Sequence, residues 1–160
     1  MDLILWRHAE ARLHPDPDGG CPGDEADLAR RLTSRGDKQA ARMAAWLDRQ
    51  LPNGAVVLCS PALRAEQTAL ALGRKFKIHQ RLAPAGDADA LLDLAQWPYA
   101  HQPVVVVGHQ PTLGWVVSGL LGLTAPECAI KKGALWWLRH RVRDGDSQTV
   151  LVTVQTPELL

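Results

Sequence analysis

Cysteine is scarce, charge is nearly balanced and no apolar run is long, and each shortage closes off a class of protein. Cys21, Cys59 and Cys128 are odd in number, far apart and without a paired spacing. That argues against a disulfide framework and against a zinc site, and it suits a reducing compartment. The formal net charge is +1, so there is no general electrostatic attraction to nucleic acid or an anionic membrane. Arg30-Arg31 and the arginines from Arg139 to Arg143 are short basic clusters that read as solvated faces rather than as a binding stripe. The longest later apolar region, Leu113 to Leu123, falls short of the ~20 residues a membrane span needs. Met1-Asp2-Leu3 lacks the basic region of a secretory signal. The expectation is a soluble, cytoplasmic protein with no nucleic-acid and no membrane partner. His14, His79, His101 and His140 show no metal-ligand spacing and read as surface or packing residues. There is no internal repeat, low-complexity tract or linker.

What is present suits one folded unit. With 160 residues, 46% of them hydrophobic and 22% charged, the chain is expected to form a single domain over 1–160. A chain of this size buries roughly 70% of its unfolded surface.

Leu3-Ile4-Leu5-Trp6 is a short apolar run that breaks off into Arg7-His8, as expected of a strand buried on both faces. The Pro-, Gly- and Asp-rich segment from His14 to Gly23 reads as a loop, either a wall of a site or a plain connector. Thr33 or Ser34 is placed to cap a helix running to about Leu51, with Ala40, Ala44, Leu47 and Leu51 at helical spacing. Ala55 to Cys59 reads as a second buried strand. Ser60 is placed as the N-cap of the next helix, with Pro61 at its first position, and Ala62, Ala65, Ala69 and Leu72 form its core face. A weaker strand is expected from Lys77 to Arg81, then a short helix through Leu91 to Ala95. Val104 to Val107 is the clearest strand, followed after Gly108-His109-Gln110-Pro111 by a helix carrying Leu113, Val116, Val117, Leu120 and Leu121. Ala134 to Leu138 and Val150 to Val154 read as a hairpin turning at Asp144-Gly145-Asp146. Trp6, Trp46, Trp97 and Trp115 all read as packing residues, as does at least one of Trp136 and Trp137.

Strands alternating with helices, then two strands together, predict an α/β three-layer sandwich. Its sheet is mostly parallel, with helices on both faces and at least one antiparallel strand near the C-terminus. In a parallel sheet every strand-to-helix junction lies at one edge. That brings Arg7-His8, Ser60 to Arg64 and His109 to Thr112 towards each other, two of these junctions being helix N-termini that favour anions. Two arginines, two histidines and two helix ends suit a small, multiply charged anion, phosphate above all, because guanidinium groups bind its oxygens bidentately. Lys131-Lys132 precede the Ala134 strand. If that strand is antiparallel its start also lies at this edge, where one lysine would meet phosphate or an acidic partner, although solvated surface is the default.

These segments resemble the histidine phosphatase superfamily, the phosphoglycerate mutase-like fold. Arg7-His8-Ala9 looks like its Arg-His-Gly signature, and Leu32-Thr33-Ser34-Arg35-Gly36 with Gln39-Ala40 resembles its Leu-Thr-x-x-Gly segment. Cys59 to Ala69 is similar to its second-arginine motif, and Gly108-His109 matches its second histidine. Arg-His-Ala-Glu-Ala, Gly-His-Gln-Pro and the small size point to the SixA-like phosphohistidine phosphatase branch. The resemblance implies that His8 is the nucleophile that takes up a phosphoryl group, and that Arg7, Arg64 and His109 hold its oxygens. It implies no metal and no cofactor.

Larger members of the superfamily carry a carboxylic proton donor after the third strand. Here that region holds only Asp87 and Asp89, neither in a family motif, while Glu10 and Glu66 lie nearer the site. Glu10 is therefore a candidate acid or site-edge residue. An alkoxide leaving group is as basic as hydroxide, the conjugate base of water with a pKa of ~15.7. The conjugate acid of imidazole has a pKa near ~6.5. A site without a dedicated acid suits P–N cleavage better than an alkyl ester. The expected substrate is accordingly phosphohistidine in a protein, such as a histidine-containing phosphotransfer domain. The alternatives are a phosphatase for a small phosphate ester and a phosphate-binding module without turnover.

Overall fold

The computed structural model describes residues 1–160. In chain order its elements are β1 (Asp2–Arg7), α1 (Glu25–Leu28), α2 (Ser34–Gln50), β2 (Val56–Cys59), α3 (Leu63–Leu70), β3 (Lys77–Ile78), α4 (Ala88–Leu94), β4 (Val104–Gly108), α5 (Thr112–Leu121), β5 (Leu135–Arg143) and β6 (Asp146–Gln155). The six strands form one sheet in the order β3-β2-β4-β1-β5-β6. The first four in that order are mutually parallel, β5 runs antiparallel to β1, and β6 antiparallel to β5.

Alternation along β1 explains why a run of four apolar residues stands here. Ile4 and Trp6 point into the layer formed by Met43, Ala44 and Leu47 of α2 and Ala65 and Ala69 of α3. Leu3 and Leu5 point into the opposite layer, with Leu91 of α4 and Leu113, Val116 and Val117 of α5. All four are fully buried, each worth roughly 1.5–3 kcal/mol of apolar transfer. The expected three-layer α/β sandwich is thus observed. Both C-terminal strands are antiparallel, and they run longer than the apolar pattern marks because their far ends are polar and solvent-exposed.

The local departures have local causes. Thr33 caps α2 as expected, accepting from the Gly36 amide. Ser60 does not cap α3, and Pro61 is not its first residue. The helix starts at Leu63 behind Ala62, because the Ser60 hydroxyl accepts from the Ala62 amide two residues on and also pairs with His109. Such a serine turn competes with a helical cap. Pro111 sits just before α5, and the side chain of Gln110 accepts from the Gly114 amide in the first turn. The strand expected over 77–81 stops at Ile78 and passes into a 3-10 turn, Gln80–Leu82. Apolar periodicity marks no helix at Glu25–Leu28, a single turn that Asp24 caps by accepting from the Asp27 amide.

Candidate active site

The order β2-β4-β1-β5 puts the carboxyl ends of three parallel strands side by side, and the antiparallel β5 starts at the same edge. Arg7 and His8 leave β1, His109 leaves β4, and Ser60 leaves β2 towards Arg64 in the first turn of α3. Arg7, His8, Arg64 and His109 line one cavity of about 530 Å³. All four sequence-derived candidates therefore come together at one place.

His8 is held by its neighbours on every side. Its Nδ1 lies 2.8 Å from the carbonyl of Ala9, an acceptor only, so Nδ1 carries the proton and Nε2 offers a lone pair. The segment after it is tied down by side chains from two helices. Thr68 of α3 accepts from the Ala9 amide while donating to the Arg64 carbonyl, and Gln39 of α2 accepts from the Glu10 amide. Gln67 does the same for Leu32. The polar residues of the two longer motifs thus brace the backbone behind His8. Burial holds the His8 pKa well below the ordinary 6.5, and the neighbouring His109 and arginines reinforce this, so the imidazole is neutral at pH 7.

Arg64 is 4% exposed. Its Nε donates towards His8 Nε2 at 3.3 Å, Nη1 donates to the Asp27 carbonyl at 2.7 Å, and Nη2 reaches the Asp27 carboxylate at 3.2 Å. Asp27 also accepts from Arg30 at 2.9 Å and from the Gly23 amide at 2.9 Å. Burial alone would raise its pKa, but the Gly23 amide, Arg30 and Arg64 outweigh this and hold the carboxyl below its usual range. Arg7 donates from Nη1 to the Ile130 carbonyl, leaving its buried Nε without a protein partner. The rings of His8 and His109 are 5.1 Å apart between centroids. His109 Nε2 lies 2.7 Å from Ser60 Oγ, and its Nδ1 is buried with no partner. Burial first, then the charge of Arg64, pushes the His109 pKa down to about 3.

Several further residues line the cavity that the sequence pattern assigns elsewhere. Asp27 and Arg30 come from α1 and its exit, so Arg30 belongs to the site rather than to a solvated face. The available signal is the capping pattern Asp24-Glu25-Ala26-Asp27, hidden next to a loop. Trp115, which reads as packing in the sequence, is 40% exposed and lines the cavity, because on the first turn of α5 it faces the sheet edge rather than the sheet. Lys132 lines the cavity as well, since β5 is antiparallel and the Gly133 amide bonds to the His8 carbonyl. The loop from His14 to Gly23 supplies Gly19 and Pro22 to the wall, steadied by His14 bonding to Asp24. Glu10, Glu66, Asp87 and Asp89 are absent from the lining. The Glu10 carboxylate instead accepts from the Thr33 hydroxyl at the start of α2, and Asp87 caps α4.

Such an edge sets two arginines and two histidines, one of them with Nε2 unprotonated, around a single cavity of an α/β fold. The family model of the histidine phosphatase superfamily (branch 1) matches residues 3–85, just over half the chain. The chain is 31% identical over 135 residues to the phosphohistidine phosphatase SixA of Escherichia coli, covering 79% of this chain and 78% of that one. It is 34% identical over 151 residues to an uncharacterized protein of Picosynechococcus, covering 87% and 85%. The solved structure of the protein histidine phosphatase SixA complexed with tungstate superposes with a TM-score of 0.72 at 25% identity, covering 99% of each chain. The chain belongs to the histidine phosphatase superfamily, in its SixA-like branch, and is a phosphatase of that family.

Proposed function

We propose that this chain hydrolyses phosphohistidine carried by a protein, through a phosphoryl group held transiently on His8. One observation carries the choice of substrate: the cavity contains a single carboxylate, Asp27, and three donors keep it ionised. No carboxylic acid is available there to protonate an alkoxide. A phosphohistidine ring protonated at its distal nitrogen departs as neutral imidazole and needs none.

The chemistry then balances at named atoms. Nε2 of His8 attacks phosphorus in line, and the P–N bond of the substrate breaks with its electron pair going to the departing ring. Arg7, Arg64 and His109 meet the charge spread over the phosphoryl oxygens, with Arg64 Nε turning from His8 Nε2 to an oxygen. Throughout, Nδ1–H stays on the Ala9 carbonyl, so phospho-His8 is an imidazolium. Water attacks it, His8 leaves as neutral imidazole, and the proton of the water departs with phosphate or bulk solvent. The rim, with Arg30, Lys132 and Trp115, suits an acidic protein surface presenting an aromatic ring.

The test is parallel hydrolysis of a phosphohistidine protein, p-nitrophenyl phosphate and an alkyl phosphate, with trapping of an acid-labile phosphoenzyme. Phosphohistidine should have the highest kcat/KM. A strong preference for the alkyl phosphate would sink the substrate assignment, and phosphate binding without turnover of any of the three would leave a binding module.

A further inference from the structure

We infer that Ser60 is a positioning residue that fixes the tautomer of His109, so that His109 presents Nδ1–H to a phosphoryl oxygen. The inference rests on the phosphatase reading for its purpose, but its structural content stands on the hydrogen bonds. Ser60 is fully buried, out of reach of water, and its hydroxyl has two partners: the Ala62 amide at 3.1 Å and His109 Nε2 at 2.7 Å. An amide only donates, so the Ala62 bond occupies one lone pair of Oγ.

The remaining bond can run in two directions. If His109 donated from Nε2, Oγ would accept twice and the serine hydrogen would point at nothing. His109 Nδ1, already buried without a partner, would then be a bare acceptor unable to bind a phosphoryl oxygen. Two groups would be left unsatisfied. If Ser60 donates to Nε2, the hydroxyl is fully used and the one open group is Nδ1–H. Each buried polar group left unpaired is a penalty, so the second arrangement, with one such group instead of two, is favoured. It also leaves a neutral donor on a ring that lines the cavity 5.1 Å from the His8 ring. Ser60 therefore stands to His109 as the Ala9 carbonyl stands to His8. One partner donates and one accepts, and the two imidazoles are set as phosphate donor and nucleophile.

The tautomer is read directly by nitrogen-15 NMR of the imidazoles in the full chain, with no substrate present. The wild-type protein should show His109 protonated at Nδ1 and free at Nε2. Ser60→Ala should show a larger Nε2–H population, with kcat on phosphohistidine lower by about a hundredfold, the loss seen when one preorganised donor is removed, and KM little changed. His109 protonated at Nε2 in the wild type overturns the inference. So does a Ser60→Ala protein that keeps both tautomer and kcat. The wild-type spectrum needs neither turnover nor the variant, so a failure here is distinguishable from a failure of the substrate assignment.

Discussion

The carboxylate of Asp27 lies 3.2 Å from Nη2 of Arg64, and both side chains are almost completely withdrawn from solvent. Arg64 faces the nucleophilic ring with one nitrogen and is anchored through the other two by a single residue, on a one-turn helix of a different segment. Removing one partner of a buried ion pair leaves the other charge uncompensated, at a cost of about 3–5 kcal/mol. Asp27→Ala should lower stability by that order in urea unfolding. Asp27→Asn, which keeps the shape, should raise the inhibition constant for inorganic phosphate. An unchanged constant would show that Arg64 does not depend on this anchor.

His8→Ala should abolish phosphohistidine turnover while circular dichroism and the unfolding midpoint stay near wild type. His8 contributes its ring to the cavity, whereas the core around β1 is built by Leu3 to Trp6. No acid-labile phosphoenzyme should be trapped in the variant. Normal turnover would eliminate the proposed nucleophile.

Acid should destabilise the protein through its histidines. The His109 pKa is about 3 in the folded chain against 6.5 ordinarily. Between those values the unfolded chain binds a proton that the native one refuses. Stability from this residue is fully present above pH 6.5 and falls as pH drops through that window, by up to about 1.4 kcal/mol per pH unit. His8, shifted in the same direction by burial, adds to the slope. The urea midpoint of His109→Asn should depend less steeply on pH than that of wild type. The His109 ring should not titrate between pH 5 and 8 by NMR, and a wild-type His109 titrating near 6.5 would contradict the prediction.

Gly36→Ala should be severe for a residue that touches no part of the cavity. A Cβ there runs into the backbone carbonyl of Glu10, two residues beyond His8. Backbone cannot yield as a flexible side chain can, so α2 or the His8 segment must shift, at a cost of roughly 1–3 kcal/mol for overpacking. Loss of both thermal stability and kcat is expected. A variant with wild-type kcat would show that the approach of α2 does not hold the segment in place.

Trp115→Ala separates leaving groups. One aromatic contact is worth about 0.5–1.5 kcal/mol beyond its area, so kcat/KM on a phosphohistidine protein should fall by up to about tenfold. Phosphoramidate, whose P–N bond carries no ring, should be hydrolysed within about twofold of wild type. An equal loss on both would place Trp115 in support of the fold rather than against the substrate.

Much of this molecule is legible along the chain because it is carried by local pattern. Leu3-Ile4-Leu5-Trp6 and Val104 to Val107 suit only strands buried on two faces, and strand-helix alternation forces their carboxyl ends to one edge. That places Arg7, His8, Arg64 and His109 at one edge, and the strand order β2-β4-β1, which the sequence does not give, makes them neighbours. Asp27, Arg30 and Trp115 are not legible, because nothing local distinguishes a solvated side chain from one that folds over a neighbouring strand end. Ser60 reads as a polar residue at a helix start, yet its hydroxyl answers to a histidine 49 positions away. The strand end Arg7-His8 is thus a matter of apolar periodicity. Which nitrogen of His8 is free, which arginine faces it and what holds that arginine depend on hydrogen bonds between distant segments. Those exist only once the hydrophobic layers have fixed the strand order.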